Sequence, residues 1–408
     1  MLLAHVHPSV LAVRWRCFDF ACYIGDLNPY EPDLSTVRRI PKGFCSVYFI
    51  NLNTSSLNVS VLEQQGLIVA YTTISNSPVR SILLPSHVNV PTLVIEQSNL
   101  TEITFEANNT FLEKITIRNG SLENIPATLV HLAAVRYVTI GQNPIQTVDL
   151  NLFASLPRLE SLDLSTNSIN HLHYSPVSHE DFPFLQEVYL SQNRLTVVNL
   201  NYFSNMVRLE TIYLSNNLIK HVEGALVLDS LKFLDMSHNS IAALDCCQWN
   251  TVSLISLSLQ NNTLEELPPG MEVAMPAVKY LHLSQNVLTG RDMWRRLISL
   301  QYLQALHLNS NRLTSVKVGG VFPSLFYLHL DRNLIKHLQI PFATGALSVT
   351  AMCNLIEQFE PKSMSPNVTY LNMDCNPFGC KGQAGDSASD GSRAECVKHD
   401  DRCKICYT

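Results

Sequence analysis

One motif recurs along most of the chain and limits its fold more than any other feature. The spacing L-x-x-L-x-L-x-x-N-x-L is clearest at 159–169, 209–219 and 303–313. Other copies place an asparagine at the same position: Asn143, Asn193, Asn239, Asn262, Asn286, Asn333, Asn354 and Asn376. The copies follow one another at about 23 residues, a period typical of solenoids built from stacked repeats.

The alternation L-x-L predicts a short strand whose alternate side chains are buried. A single repeat cannot bury its own apolar face, so successive repeats stack and share one core. The asparagine amide then hydrogen-bonds the backbone of neighbouring coils and satisfies groups that burial would leave unpaired. This spacing is that of leucine-rich repeats. It predicts an α/β solenoid: a horseshoe with a parallel β-sheet on its concave face and cysteine-stapled caps.

The repeats define three regions of the chain. We expect an N-terminal segment and cap over residues 1–66, the solenoid over 67–378 with about 13 repeats, and a cysteine-rich C-terminal cap over 379–408. Ser98 and Gly120 replace the asparagine in two early copies, and a degenerate first copy uses Tyr71 and Asn76.

Composition and motifs exclude several classes of function. Of the 408 residues, 28 are Lys or Arg and 34 are Asp or Glu, so no basic excess exists to neutralise a nucleic acid. No run of 18 apolar residues is present, and no transmembrane segment is predicted. G-x-S-x-G, H-E-x-x-H, P-loop and G-x-G-x-x-G motifs are all lacking. We therefore expect no enzymatic activity, no cofactor and no metal site.

The cysteines cluster at the two ends, as in disulfide-stapled caps. Nine are predicted to form disulfides: Cys17, Cys22, Cys45, Cys353, Cys375, Cys380, Cys396, Cys403 and Cys406. Cys353 and Cys375 occupy equivalent positions in adjacent repeats, so we expect them to pair. Zinc bound by Cys396, His399, Cys403 and Cys406 is the alternative for the C-terminal region. The adjacent Cys246 and Cys247 are either two thiols or one source of a disulfide-linked oligomer.

Disulfides imply an oxidising compartment, and the sequence permits glycosylation there. Seven asparagines lie in N-x-S/T sequons: Asn53, Asn58, Asn99, Asn108, Asn119, Asn261 and Asn367. The first 13 residues are apolar in part but show no clear signal peptide, because His5, His7 and Pro8 interrupt them. We predict a secreted, extracellular protein.

The residues that flank the buried leucines of each strand are predicted to face the concave side. They provide the candidate partner-binding residues: Tyr137, Asp163, Tyr189, Tyr213, Phe233, Asp235, Tyr280, His282, His307, Tyr327, His329 and Asp331. Exposed aromatics on a rigid sheet are typical of protein-binding surfaces, although cross-strand packing also accounts for them. The column of three histidines has three interpretations: metal binding, a pH-sensitive contact, or a polar ladder.

The two ends also carry a family resemblance. C-N-P-F-G-C at 375–380, followed by Cys396 and C-K-I-C at 403–406, resembles the C-terminal cap of extracellular leucine-rich-repeat proteins. Cys17 and Cys22, followed by Cys45, look like the N-terminal cap of insect secreted relatives. Taken as a whole, the chain most resembles the mosquito leucine-rich-repeat immune proteins of the haemolymph. It would be a coil-less member, because no heptad region precedes Thr408.

The resemblance implies a role in innate immunity. Members of that family hold a complement-like, thioester-containing protein on microbial surfaces, so the implied partner is such a protein or another leucine-rich-repeat protein. We predict a secreted scaffold that binds a protein partner through its concave face, either a complement-like factor or a pathogen component. The alternative is a cell-adhesion or Toll-like receptor ectodomain that lacks its membrane anchor.

Overall fold

The structure is a computed structural model. It describes residues 14–25, 43–63, 67–175, 181–290, 292–359, 365–377 and 403. The chain forms two compact units, Met1–Asn193 and Arg194–Thr408. Both are parallel β-solenoids of leucine-rich repeats, as the spacing predicts.

In the first unit, a row of short strands forms one sheet. Its first two strands make an antiparallel hairpin, and every later pairing in the row is parallel. The strands are Arg14–Phe18, Ala21–Gly25, Gly43–Ile50, Leu67–Ser77, Thr92–Ser98, Lys114–Arg118, Tyr137–Gly141, Ser161–Asp163 and Glu187–Tyr189. Parallel stacking thus already includes Gly43–Ile50, on the N-terminal side of the boundary expected at residue 66.

The return segments of the first unit carry shorter elements. Two further groups of parallel strands form there: Ser56–Asn58, Ser81–Leu84 and Glu102–Phe105, and Thr147–Asp149 with His171–His173. The helical turns are 3-10 helices Val59–Leu62 and Ala127–His131 and α-helix Asn151–Ala154.

The second unit repeats this plan with parallel pairing along its main row. The main-row strands are Thr211–Tyr213, Phe233–Asp235, Ser256–Ser258, Tyr280–His282, Ala305–His307, Tyr327–His329, Leu347–Thr350 and Val368–Asn372. Its return segments pair Val197–Asn199 with His221–Glu223, Ser315–Val316 with His337–Leu338, and Val321–Phe322 with Phe342–Ala343. The helical turns are Leu200–Phe203 (3-10), Met271–Ala274 and Met293–Leu297 (α).

The central residue of each three-residue strand in the main rows is buried in the core, and its two neighbours point to the opposite side. Leu234, Leu257, Leu281 and Leu306 are each at most 1% exposed. Because side chains alternate along a strand, the residues on either side of each leucine share one surface of the sheet. We call this surface of each unit its strand face.

Buried asparagines connect successive coils, and Asn286 shows the pattern. Its Oδ1 accepts a hydrogen bond from the Leu264 N–H at 3.0 Å. Its Nδ2 donates to the Leu259 carbonyl of the preceding coil at 2.9 Å and to the Leu283 carbonyl of its own coil at 3.1 Å. Asn193, Asn262, Asn311, Asn333, Asn354 and Asn376 make the same set of contacts.

The residue before each asparagine of this ladder adopts a left-handed backbone conformation. Gln285 has φ 56° and Asn261 has φ 52°, and the same position is left-handed in coil after coil. Asn76 occupies this position with φ 48°, so Ser77, and not Asn76 as predicted, takes the ladder position. Ser77 Oγ accepts the Leu52 N–H at 3.0 Å, a shorter version of the asparagine contact.

The early coils show what replaces the asparagine. A Cβ on Gly120 would lie 2.6 Å from Asn143 Oδ1, so the Asn143 side chain occupies the space that a side chain at position 120 would need. Among the described residues, Ser98 Oγ is buried without a hydrogen-bond partner. The ladder is therefore complete in the second unit and thinner at the start of the first.

The disulfides differ in part from the sequence prediction. Cys17 bonds to Cys22 across the N-terminal hairpin, and Cys375 bonds to Cys403. The predicted Cys353–Cys375 pair is therefore wrong, although Cys353 is itself disulfide-bonded. Equivalent residues on parallel coils lie about 4.8 Å apart with side chains extending side by side, whereas a disulfide brings its Cβ atoms to about 3.8 Å.

Other cysteine predictions fall outside what the structure describes. These are the Cys45 side chain, Cys380, Cys396 and Cys406, together with His399 of the alternative zinc site. Cys403 would be a ligand in that alternative, but its sulfur is in the bond to Cys375.

Replacing Asn286 by alanine tests the ladder. The change leaves the buried Leu264 N–H without a partner, at about 1–3 kcal/mol, and removes one of the two asparagine hydrogen bonds to each of the Leu259 and Leu283 carbonyls. We expect urea unfolding to show a loss of several kcal/mol. Asn124→Ala, at an exposed asparagine, is the control and should lose less than about 0.5 kcal/mol. Equal losses in the two variants would contradict the ladder.

Candidate functional site

The predicted partner-binding residues divide between the two units. Tyr137, Asp163 and Tyr189 lie in main-row strands of the first unit. The second unit carries the larger set on its strand face: Tyr213, Phe233, Asp235, Tyr280, His282, His307, Tyr327 and His329. Asp331 lies just after the strand Tyr327–His329, in the turn that follows it.

Three histidines form a stacked column on the strand face of the second unit. The register pairs His282 with His307 and His307 with His329, because each ends a strand of the same length. Their ring centroids lie 4.5 Å and 4.7 Å apart, with interplanar angles of 18° and 14°. His329 Nδ1 lies 3.1 Å from Thr350 Oγ1, the residue in the same register position of the next coil.

Burial lowers the pKa of two of these rings. For His307, burial and, to a smaller extent, charge on His282 and His329 together lower the pKa to about 4. Burial also lowers the pKa of His282, against a smaller opposing effect from the Asp235 carboxylate. Neutral rings can stack closely, whereas imidazolium rings at this distance repel each other. The geometry is that of a polar ladder, and no metal-binding cluster of His, Cys, Asp or Glu occurs in the described ranges.

The aspartates predicted to bind a partner instead accept hydrogen bonds within the protein, a structural role that the sequence did not predict. Asp331 Oδ1 accepts the Met352 N–H at 2.8 Å, and its Oδ2 accepts the Thr350 hydroxyl at 2.7 Å. Asp163 and Asp235 each accept the backbone N–H two residues later, at 2.9 Å. A carboxylate at the end of a strand caps the turn that follows. Both oxygens of Asp331 accept hydrogen bonds from the next coil, so this residue connects two coils of the site.

An alternation of large and small residues runs beside the histidines. At the register position before the buried central residue, large and small residues alternate over seven consecutive strands. In order, these residues are Phe233, Ser256, Tyr280, Ala305, Tyr327, Ser348 and Tyr370. We call Phe233, Tyr280, Tyr327 and Tyr370 the aromatic row, and Ser256, Ala305 and Ser348 its notches. The four aromatic residues are 40–53% exposed, so they stand above the sheet. The alternation can be read from the sequence once the repeats are aligned at this position.

The strand face of the first unit carries stacked tyrosines near its N-terminal end, where the Tyr23 and Tyr48 ring centroids lie 4.8 Å apart, and charged groups around Tyr137. Arg136 donates from Nε and one guanidinium nitrogen to the two oxygens of Glu160, at 2.8 and 2.9 Å. The Tyr137 hydroxyl donates to Glu160 at 3.1 Å, and Arg118 lies 3.5 Å from Asp163. The hydrogen bond from Arg136 lowers the pKa of Glu160. Tyr137 and Asp163 are thus parts of ion-pair networks that isolated residue positions could not predict.

Two cysteines that are adjacent in the sequence, Cys246 and Cys247 of the second unit, are free thiols. Cys246 is buried and Cys247 is exposed. Burial raises the pKa of Cys246, and a hydrogen bond to the Asp245 carboxylate raises the pKa of Cys247. A raised pKa reduces the thiolate fraction that attacks disulfides, so neither thiol is activated for exchange.

Sequence comparison identifies the repeat. Residues 110–169, 183–241 and 252–305 match the sequence model of the family "Leucine rich repeat". Mouse podocan is 32% identical over 119 residues, and human keratocan is 30% identical over 122 residues. Human Toll-like receptor 1 is 31% identical over 118 residues. These alignments cover 28%, 30% and 28% of this chain, and 19%, 33% and 14% of the respective relatives.

Structural comparison shows the same fold at lower sequence identity. The APL1 leucine-rich repeat domain has a TM-score of 0.57 and 18% identity, over 84% of this chain and 89% of that domain. The LRIM1/APL1C complex has a TM-score of 0.54 and 19% identity, over 83% of this chain and 63% of the matched chain. The similarities lie in the leucine-rich-repeat scaffold, which the chain shares with non-enzymatic proteins such as keratocan. No helix in the described ranges is long and apolar enough to cross a bilayer.

Replacing His307 by glutamine tests the electrostatics of the column. Because folding lowers the pKa of His307 from about 6.5 to about 4, protons bind the unfolded state more readily. The wild-type protein should lose stability as the pH falls from about 6.5 to about 4. The variant should lose less, by on the order of 1 kcal/mol, since solvent screens the half-buried ring.

Urea unfolding of both proteins at pH 7.5 and 4.5 measures this difference. His337→Gln, at an exposed histidine of a return strand, is the matched control. A variant whose stability falls with pH as steeply as that of the wild type would show that the column does not exclude protons.

Proposed function

We propose that this leucine-rich-repeat protein is a secreted scaffold that binds a protein partner through the strand face of its second unit. The observation that carries the proposal is the aromatic row beside the histidine column. Phe233, Tyr280, Tyr327 and Tyr370 keep 40–53% of their surface exposed on strands that are fixed by the asparagine ladder. Exposed aromatics on a rigid support bury large areas at low conformational cost, which is why they are enriched in binding hot spots.

Two of the histidines favour the same surface. The lowered pKa values of His282 and His307 keep these rings uncharged at neutral pH, so a partner need not displace a strongly hydrated cation there. Ring edges still offer hydrogen-bond donors and acceptors that could fix the orientation of a bound chain. By contrast, the charged groups around Tyr137 are already paired with each other within the first unit.

We place the protein in extracellular innate immunity. The resemblance of its cysteine-containing ends to mosquito leucine-rich-repeat immune proteins supports this role, as does a fold shared with the APL1 domain and the LRIM1/APL1C complex. By that resemblance, the partner is a complement-like thioester protein or another leucine-rich-repeat protein. The disulfides Cys17–Cys22 and Cys375–Cys403 fit an oxidising compartment.

A second candidate is the ectodomain of a receptor, either of the Toll-like or of the adhesion class. The similarity of one segment to human Toll-like receptor 1 favours it. Both candidates use the same strand face, and they differ in whether the natural protein is released or held at the cell surface. Fractionation of cells that express the natural gene distinguishes the two.

Affinity capture from extracellular fluid tests the proposed face. The double variant Tyr280→Ala/Tyr327→Ala removes two members of the aromatic row, while Tyr302→Ala removes an aromatic that is 59% exposed outside the main-row strands. We expect mass spectrometry to find a protein that is enriched by the wild type and by Tyr302→Ala, and reduced at least tenfold by the double variant. Equal capture by all three proteins would contradict binding through this face.

Glycan mapping tests secretion independently of the partner. Six of the seven sequon asparagines are exposed, and these are expected to include the occupied sites: Asn53, Asn58, Asn99, Asn108, Asn119 and Asn261. Asn367 differs, because its Nδ2 donates to the Ala343 and Thr344 carbonyls at 2.8 and 3.2 Å. A glycan on that nitrogen would remove one of its two donors.

We therefore expect enzymatic release of N-glycans to convert exposed sequon asparagines to aspartate, and to leave Asn367 unchanged. The measurement is peptide mass spectrometry of protein isolated from its natural source, after release in heavy-oxygen water. Complete lack of conversion at all seven positions would contradict passage through the secretory pathway by this route.

A further inference from the structure

The spacing of the aromatic row defines what kind of chain can lie along it. Aromatic residues alternate with notches, so equivalent rings recur every second coil. The neighbouring histidine rings measure the advance per coil at the height of the side chains, at 4.5 and 4.7 Å. Two coils therefore advance by roughly 9 Å, which is the repeat of the aromatic row.

Only one regular peptide conformation repeats at this distance. A polyproline II helix has three residues per turn and rises about 3.1 Å per residue, so one turn advances about 9.3 Å. The same face of an α-helix recurs after one turn at about 5.4 Å and after two turns at about 10.8 Å, so it falls out of step by more than an ångström at each aromatic residue. Side chains on one face of a β-strand recur at about 6.7 Å. The row and the polyproline II helix stay in register along the whole surface.

The chemistry of the surface fits the same occupant. A polyproline II segment makes no internal hydrogen bonds, so its carbonyls need donors from the surface that receives it. Tyrosine hydroxyls and neutral histidine N–H groups supply such donors along the row. Proline rings pack against aromatic faces, as in the aromatic-lined grooves that bind proline-rich segments in other folds.

The row itself favours an uncharged segment, because its aromatic residues and notches are all Phe, Tyr, Ser or Ala. Lys232, next to Phe233, is paired with Glu210 at 2.8 Å. The carboxylates of Asp235 and Asp331 are charged, but each accepts hydrogen bonds from the backbone beyond its strand. No row of like charges therefore follows the aromatic residues to attract an acidic or basic helix.

We propose that the aromatic row binds a proline-rich segment in the polyproline II conformation, with one residue per turn seated in the notches at Ser256, Ala305 and Ser348. This rests on the proposed function, because it names the class of partner segment that the same strand face takes. From Phe233 to Tyr370 the row spans six coil intervals, so about nine residues of the segment occupy it.

Fluorescence anisotropy with a labelled dodecaproline peptide tests the proposal on the full chain. We expect saturable binding of dodecaproline, and at least tenfold weaker binding of a glycine–serine dodecamer and of an alanine-rich helical dodecamer. The second comparison matters because a helix is the competing occupant. Tighter binding of the helical peptide, or no binding of dodecaproline, would overturn the proposal.

Filling a notch separates the shape of the row from its aromatic content. Ala305→Trp leaves all four aromatics in place but fills the central notch, and should weaken dodecaproline binding at least tenfold. Ala305 is 4% exposed, so Ser256→Tyr fills a more open notch in case the first variant unfolds, and circular dichroism melts verify the fold of both. Tyr302→Ala is the control and should bind as the wild type does. Wild-type affinity in a folded notch variant would overturn the proposed register.

The two proposals fail in different ways. If the captured partner depends on Tyr280 and Tyr327 but dodecaproline does not bind, the proline-rich segment is wrong and the protein-binding face stands. If partner capture is unaffected by the Tyr280→Ala/Tyr327→Ala variant, the proposed function itself is wrong.

Discussion

The hydrogen bonds of the buried asparagines set the distance between coils, and most other features of the second unit depend on that distance. Each amide contacts two carbonyls and one N–H, with one carbonyl and the N–H in the preceding coil, as Asn286 and Asn311 show. Removing one side chain therefore leaves a buried N–H unpaired and takes away one of the two asparagine hydrogen bonds at each of two carbonyls. Because the same contacts recur, successive strands take the same register, and residues at one position in each repeat form a straight row across the sheet.

Two rows on the strand face show how this regularity acts on side chains. In the histidine row, burial and charge on the two stacked neighbours lower the pKa of His307 to about 4, so the central ring is neutral at pH 7. In the aromatic row, small residues at Ser256, Ala305 and Ser348 separate the rings so that they remain exposed. A ring in every coil would cover its neighbours, whereas a ring in every second coil leaves clefts of a fixed repeat. The proposed preference for a polyproline II segment follows from that repeat.

The two units use the same backbone plan for different surfaces. Around Tyr137 in the first unit, Arg136 and Glu160 form a bidentate ion pair that also holds the tyrosine hydroxyl. Such charged groups have partners within the protein and gain less from contact with another chain. In the second unit, Asp235 and Asp331 accept hydrogen bonds from backbone N–H groups beyond their strands. The exposed aromatic rings there make fewer hydrogen bonds within the protein. This difference is the reason for placing the partner on the second unit.

The sequence alone determined the features that depend on neighbouring repeats. The leucine spacing predicted the parallel solenoid, the asparagine position predicted the ladder, and the alignment of the three histidines predicted their stacking. These follow from local periodicity, because an identical register places equivalent residues side by side. Only the tertiary structure decided that Cys375 bonds to Cys403, that Ser77 rather than Asn76 enters the ladder, and that Asp331 is held by the next coil. Those outcomes depend on the direction in which each side chain leaves its turn and on segments outside the repeat, and a periodic pattern contains neither.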